Sequence, residues 1–248
     1  MTVLKSAKEI DTMRRAGKIV AAVLQLLSKE VKPGVKTSHL DSLAANELKK
    51  LKATASFKGY RGFPASLCVS INDEIVHGIP GERRVNEGDI VSLDFGAIVD
   101  GFHADAAISV GVGNISAKAQ ELLAVTESAL AAGIKAARRD SHLGDISAAI
   151  ESYVEAYSFS VVREYSGHGV GRELHEDPLV PNFGPRGGGP KLQKGMTLAL
   201  EPMVTEGDWH TRLADNGWTV LTADGGLAAH FEHTIAIGDG EAEILTRL

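Results

Sequence analysis

Four acidic residues sit inside short apolar runs, and they constrain the fold of this chain more than any other feature. The runs are "GDIVSLD" ending at Asp94, "DAAISVG" beginning at Asp105, "GMTLALE" ending at Glu201 and "EHTIAIG" beginning at Glu232. Each alternates like a β-strand, whose side chains point to opposite faces with period two. Asp94 shares a face with Ser92, against Val91 and Leu93. Asp105 lies with Ala107 and Ser109, against Ile108 and Val110. Glu201 lies with Ala199 and Thr197, against Leu198 and Leu200. Glu232 lies with Thr234 and Ala236, against Ile235 and Ile237. Every acid thus has a small neighbour in front and an apolar surface behind, which calls for a sheet with helices on its back. Asp100-Gly101 is a two-residue hairpin signal between the first two runs. That turn sets Asp94 opposite Ala107 and makes Asp105 its diagonal neighbour, with Cβ atoms about 7–8 Å apart. Buried carboxylates crowded this way must be paired with cations or bound to metal.

The runs recur in order. Ser38-His39-Leu40 returns as Ser141-His142-Leu143, each opening a helix, and His77-Gly78 returns as His168-Gly169. Asp94 and Glu201 each lie six residues after a glycine; Gly111 and Gly238 each lie six residues after Asp105 and Glu232. Helix, His-Gly, acid strand, acid strand therefore appears twice. We expect two related halves, about 1–113 and 114–248, packed as a single domain 1–248 with an antiparallel sheet backed by helices. The first helix follows a capping box, Ser6-x-x-Glu9, carries Ile10, Met13, Val20, Val23, Leu24 and Leu27, and stops at Pro33-Gly34. A second starts near Ser38 with Leu40, Leu43, Ala44 and Leu48; two more are expected at 117–137 and 144–157. Strands are expected at 67–71, 89–95, 103–110, 160–164, 197–201, 218–222 and 231–237. "PRGGGPK" reads as a loop.

"EYSGHGVGRELHEDP" carries His168 and His175, seven residues apart, with His168 held between Gly167 and Gly169. Glycine permits close approach, and histidine is the commonest metal ligand near neutral pH. His168 supplies the neutral ligand that four carboxylates lack. Oxygen ligands with one imidazole suit Mn²⁺, Fe²⁺, Co²⁺ or Zn²⁺. Five side chains exceed the needs of one hydrated ion, whereas two ions about 3.5–4 Å apart use bridging carboxylates.

The single cysteine, Cys68, excludes an internal disulfide framework and fits a reducing compartment. The start, "MTVLKSAKEIDTMRR", has no apolar signal region, and no run nears the roughly 20 apolar residues of a membrane span. A net charge of −6 argues against a nucleic-acid partner. A cytoplasmic location is therefore expected. The locally basic stretch of Lys49, Lys50, Lys52, Lys58 and Arg61 reads as a solvated face.

The motifs "GYRGFPASLCVSINDEIVHGIP", "GDIVSLDFGAIVDGFHADAA", "GHGVGRELHE", "GMTLALEP" and "FEHTIAI" together resemble the type I methionine aminopeptidases of the short bacterial form. The resemblance spans nearly the whole chain. It implies the α+β pita-bread fold and one catalytic domain, a hydrolase removing the initiator methionine from nascent proteins and preferring a small second residue. It also implies two divalent ions (Co, Mn, Fe, Zn or Ni) on Asp94, Asp105, His168, Glu201 and Glu232, with Asp105 and Glu232 bridging. A metal-bridged hydroxide would attack the first peptide carbonyl and Glu201 would shuttle the proton. His175 would stabilise the oxyanion and His77 would bond the scissile amide. The methionine side chain would enter a pocket of Phe57, Tyr60, Phe63, Cys68 and Trp218. The pattern departs at Leu174 and at Phe57, so the shape of that pocket is left open. The family implies work near the ribosome exit; a monomer is expected, and no docking motif is present. Related proline-specific aminopeptidases and prolidases carry a further N-terminal domain, for which this chain has no room. Type II relatives carry an insert between the last two acids, and here Glu201 and Glu232 stand only 31 apart. Non-catalytic relatives lose ligands that this chain keeps.

Overall fold

Helix α1 (Ala7–Glu30) forms where the capping box starts an apolar stripe. The Ser6 hydroxyl accepts the Glu9 N–H and the Glu9 carboxylate accepts the Ser6 N–H, so two otherwise orphaned donors are satisfied. The structure, a computed structural model, describes residues 2–248. After α1 come α2 (Thr37–Lys50), β1 (Thr54–Ala55), β2 (Leu67–Ile71), β3 (Glu74–Val76), β4 (Ile90–Val99) and β5 (Phe102–Gly111). Then follow α3 (Ala117–Ala136), α4 (Leu143–Glu155), β6 (Ser160–Val161), β7 (Gly167–Gly169), β8 (Glu176–Val180) and β9 (Thr197–Leu200). The chain closes with β10 (Met203–Thr205), β11 (Thr211–Leu213), β12 (Val220–Thr222), β13 (Ala228–His230), β14 (Glu232–Ala236) and β15 (Glu243–Ile244).

The main sheet runs β1-β4-β5-β14-β9-β7-β8, with β2 also on β4 and β15 also on β14. Its neighbours are antiparallel. The four acid-bearing segments are thus consecutive in space although two helices separate them in sequence. Asp100 and Gly101 turn the β4–β5 hairpin with φ of 48° and 76°, positive at both positions as a two-residue type I′ turn requires. The hairpin pairs Asp94 with Ala107, as expected from the turn. On the other side of β5, Glu232 pairs with the same Ala107. One methyl group therefore stands between two carboxylates in a row across the sheet.

The opposite face is apolar and covered. Val91, Leu93 and Phe95 of β4 join Val20, Leu24 and Leu27 of α1 in one buried cluster. Leu198, Leu200 and Ile235 join Leu122, Leu130, Ile146 and Ile150 of α3 and α4 in another. Burying each such side chain is worth about 1.5–3 kcal/mol. These back-side contacts hold together strands whose front faces repel one another. The α+β architecture of an antiparallel sheet with helices behind it follows.

Several elements differ from expectation. Glu201 lies one residue past the end of β9. The strands expected at 160–164 and 218–222 shrink to Ser160–Val161 and Val220–Thr222. Helix α2 starts at Thr37 without a side-chain cap. Strand β7, only Gly-His-Gly, is too short to show alternation, and Pro178 interrupts β8, so neither is legible in the sequence. Nor were two small sheets, β13-β10-β6 and β11-β12-β3. The basic stretch is exposed, as expected for Lys49, Lys50, Lys52, Lys58 and Arg61.

Candidate metal centre and its cavity

His168 stands in β7, which is squeezed between β8 and β9. A Cβ on Gly167 would lie 2.3 Å from the Ala199 carbonyl oxygen, and one on Gly169 would lie 2.4 Å from that of Asp177. The two glycines let a ligand-bearing strand press against main chain on both sides. His168 Nδ1 lies 2.9 Å from the Gly169 carbonyl oxygen. A carbonyl only accepts, so Nδ1 carries the proton and Nε2 is left bare. Nε2 faces Asp105 Oδ2 at 3.6 Å and Glu201 Oε1 at 3.5 Å. Burial holds this ring neutral, with its pKa lowered to about 4.

Asp105, His168 and Glu232, all buried, each offer one ligand atom within 4.8 Å of the others. Asp94 flanks this group across Ala107, and Glu201 flanks it beside His168. The Thr234 hydroxyl oxygen accepts the Asp105 N–H at 3.0 Å and lies 2.9 Å from Asp105 Oδ1, which fixes that carboxylate. Among the described residues, none of the four carboxylates pairs with Lys or Arg; the basic side chains within 4.0 Å of them are His168 and His230. Asp94 Oδ1 is buried with no hydrogen-bond partner at all.

The electrostatic consequence is direct. Burial pushes the pKa of all four carboxylates up. Mutual repulsion adds to it: Asp105 acts on Asp94, and Asp94 and Asp105 act on Glu201. Asp105, then Glu201 and Asp94, act on Glu232. A buried set of oxygen donors, one of them orphaned, beside one bare imidazole nitrogen fits divalent metal of hard or borderline character.

The five residues open into a cavity of about 320 Å³, also lined by Phe57, Tyr60, Phe63, Cys68, His77, His175 and Trp218. Every residue expected at the site is therefore brought to one hollow. Phe57, Phe63, Cys68 and Leu174 form a buried cluster with Tyr60 and Trp218 partly open. Trp218 meets Phe63 edge-on at 5.2 Å between centroids. Cys68 pairs across β2–β4 with Asp94, and burial raises its thiol pKa. Leu174 is 2% exposed and packs into this wall.

His175 is exposed at the rim. Its Nδ1 lies 2.9 Å from the Tyr60 hydroxyl, and its ring centroid lies 4.1 Å from that of His168. Desolvation by the surrounding walls, and next the His168 ring, lower its pKa to about 4. His77 is half-buried, with φ of 61° and its ring edge-on to Tyr165 at 6.1 Å. The two His-Gly pairs of the repeat are thus unlike in position. His168 lies within a strand, whereas His77 occupies a left-handed backbone conformation uncommon for residues other than glycine; burial lowers its pKa.

Sequence reasoning missed His230, Asn182, Tyr165 and Arg61. Tyr165 and Arg61 line the cavity. The Asn182 amide donates to the Glu201 main-chain carbonyl at 3.0 Å. His230 is buried, with its Nε2 3.8 Å from Glu201 Oε2. His230 lies two residues before Glu232, a spacing that could have flagged it. A larger hollow of about 680 Å³ lies on the helix side beside Ile108, Leu130, Phe231 and Ile244. It contains none of the carboxylates, so chemistry rather than size identifies the site. No helix of the described residues is long and apolar enough to cross a membrane.

Residues 11–239 match the model of metallopeptidase family M24. A methionine aminopeptidase of Clostridium perfringens is 53% identical over 246 residues, covering 99% of both chains. Methionine aminopeptidase 1 of Bacillus subtilis is 50% identical over 248 residues and covers 100% of both. The crystal structure of methionine aminopeptidase from Thermotoga maritima superposes with a TM-score of 0.99 at 46% identity, covering 100% of each chain.

Proposed function

The chain belongs to metallopeptidase family M24, and from that premise we infer that it is a metal-dependent aminopeptidase that removes N-terminal methionine. The observation that carries this reading is the buried carboxylate cluster without Lys or Arg, one oxygen unpartnered, opening into an aromatic cavity. Asp94, Asp105, His168, Glu201 and Glu232 would hold two divalent ions. Co, Mn, Fe, Zn and Ni all suit this donor set. When bound, divalent metal polarises the scissile carbonyl and makes water acidic enough to attack near neutral pH.

The remaining work falls to the chain's own groups. Phe57, Tyr60, Phe63, Cys68 and Trp218 receive the methionine side chain, since a thioether against aromatic rings is a favourable contact. At about 320 Å³ the cavity lies at the low end of ligand sites, about 300–1,000 Å³. It admits a chain end and favours a small second residue. The Tyr60 hydroxyl holds His175 by Nδ1, leaving Nε2 to donate to the carbonyl oxygen as negative charge develops on it. His77 bonds the scissile amide. Glu201, its pKa raised by burial, accepts the proton of the attacking water and delivers it to the leaving amine. We read residues 1–248 as one catalytic unit of two halves meeting near residue 113. Its substrates are nascent polypeptides, met near the ribosome exit and in the cytoplasm, and the protein acts as a monomer.

Glu201→Gln tests the assignment. Turnover of Met-Ala-Ser is measured alongside metal content, with Ala-Pro-Ala as the competing substrate. Loss of turnover at retained metal supports the reading. Equal turnover by metal-loaded variant and wild type refutes the role of Glu201, and preference for Ala-Pro-Ala refutes the substrate.

A further inference from the structure

We propose that His230 is a positioning residue for Glu201. Its Nε2–H faces Glu201 Oε2 and closes on it when the site is filled, so that Oε1 is turned to the metal ligands and Oε2 to the proton in transit. This deepens the function proposed above and rests on reading Glu201 as the proton carrier.

His230 is 2% exposed. Among the described residues, its Nε2 is one of three buried side-chain atoms without a hydrogen-bond partner, with Asp94 Oδ1 and Asn182 Oδ1. Nε2 faces Glu201 Oε2 at 3.8 Å, while Glu201 Oε1 lies 3.5 Å from His168 Nε2. The two oxygens of one carboxylate therefore already point to different neighbours. A neutral imidazole carries one N–H, and a facing carboxylate selects the tautomer that places it on Nε2. Hydrogen bonds at reaction centres are often long before ligands bind and tighten in the complex. A buried N–H left unpaired is costly, which favours that closure.

Both partners are held from behind, so the contact can close only by a small side-chain movement. His230 pairs with Met203 across β13 and β10. Ser109 Oγ accepts the His230 N–H at 2.9 Å and donates to its carbonyl at 2.8 Å. Ser109 Oγ is itself 2.6 Å from Ser92 Oγ, on the face that carries Asp94. Asn182 holds the Glu201 main chain at 3.0 Å. A purely space-filling role would not need a nitrogen aimed at a carboxylate.

The test compares His230→Gln, which keeps an N–H donor, with His230→Leu and His230→Met, which do not; Glu201→Gln is the control. Readouts are kcat and KM on Met-Ala-Ser, Mn²⁺ affinity of the metal-free protein by calorimetry, and melting temperature. Loss of the donor should lower kcat or Mn²⁺ affinity by about 10–100-fold, the scale seen when ligand-supporting partners are removed. KM should stay within about twofold, and His230→Gln should recover most of the loss. If one apolar variant does not fold, the other decides. Unchanged kcat and Mn²⁺ affinity in the apolar variants overturns the proposal, as does a Gln variant no better than they are. If Glu201→Gln retains full turnover, the proton-carrier reading falls, while the Mn²⁺ affinities of the His230 series still report the hydrogen bond.

Discussion

Replacing Gly169 by alanine should disable the site without altering any charged group. The new Cβ would lie 2.4 Å from the Asp177 carbonyl oxygen, 2.8 Å from its carbon and 3.0 Å from the Glu176 oxygen, all main chain. Strands β7 and β8 must part by about 1 Å to restore ordinary contact, which begins at 3.4 Å. The Gly169 carbonyl also holds His168 Nδ1 at 2.9 Å. The displacement therefore passes directly to Nε2, which faces Glu201 Oε1 at 3.5 Å. Overpacking of this kind costs about 1–3 kcal/mol of stability. A 1 Å misplacement of a reacting constellation can cost about 10²-fold in rate. The assay is kcat on Met-Ala-Ser in excess Mn²⁺, with Mn²⁺ affinity and a denaturant midpoint measured beside it. Gly81→Ala is the control, because a Cβ there meets nothing within 4 Å. A Gly169→Ala protein with kcat and affinity within twofold of wild type would refute the claim that close strand approach sets the His168 position.

Three further outcomes are expected. Lys5 Nζ donates to Glu176 Oε2 at 2.5 Å, with side chains 3% and 12% exposed, so Lys5→Met should cost about 3–5 kcal/mol; an unshifted urea midpoint would contradict this. The buried carboxylates hold protons more tightly than free ones. They therefore stabilise the metal-free fold below the ordinary carboxylate range of about 4, and that contribution is lost as pH rises through their raised values. Metal must displace those protons, so Mn²⁺ binding should release protons and tighten with rising pH; calorimetry showing no dependence on buffer ionisation enthalpy would count against it. Trp218→Ala should raise KM for Met-Ala-Ser by up to about tenfold, from a thioether–aromatic contact of about 0.3–1.5 kcal/mol. An unchanged KM would remove Trp218 from the methionine pocket.

The acid strands were legible because their cause is local. Side chains alternate along any strand, so Asp94 and Leu93 must face opposite ways wherever β4 lies. The Asp100-Gly101 pair, with positive φ at both residues, sets the β4–β5 register through a turn of two residues. The Ser6–Glu9 box is likewise a contact three residues long. The resemblance of the motifs carried the expectation of a methionine pocket, which local pattern alone does not contain.

What the sequence determined by itself was which faces are apolar, which are acidic, and where the β4–β5 hairpin turns. Only the tertiary structure decided that Ala107 separates Asp94 from Glu232, that β7 lies between β8 and β9, and that His230 points its nitrogen at Glu201. The physical reason is range. Alternation and turn conformation arise within a few residues, whereas burial, desolvation and carboxylate repulsion arise between strands that can lie far apart in sequence, as Asp94 and Glu232 do at 138 residues.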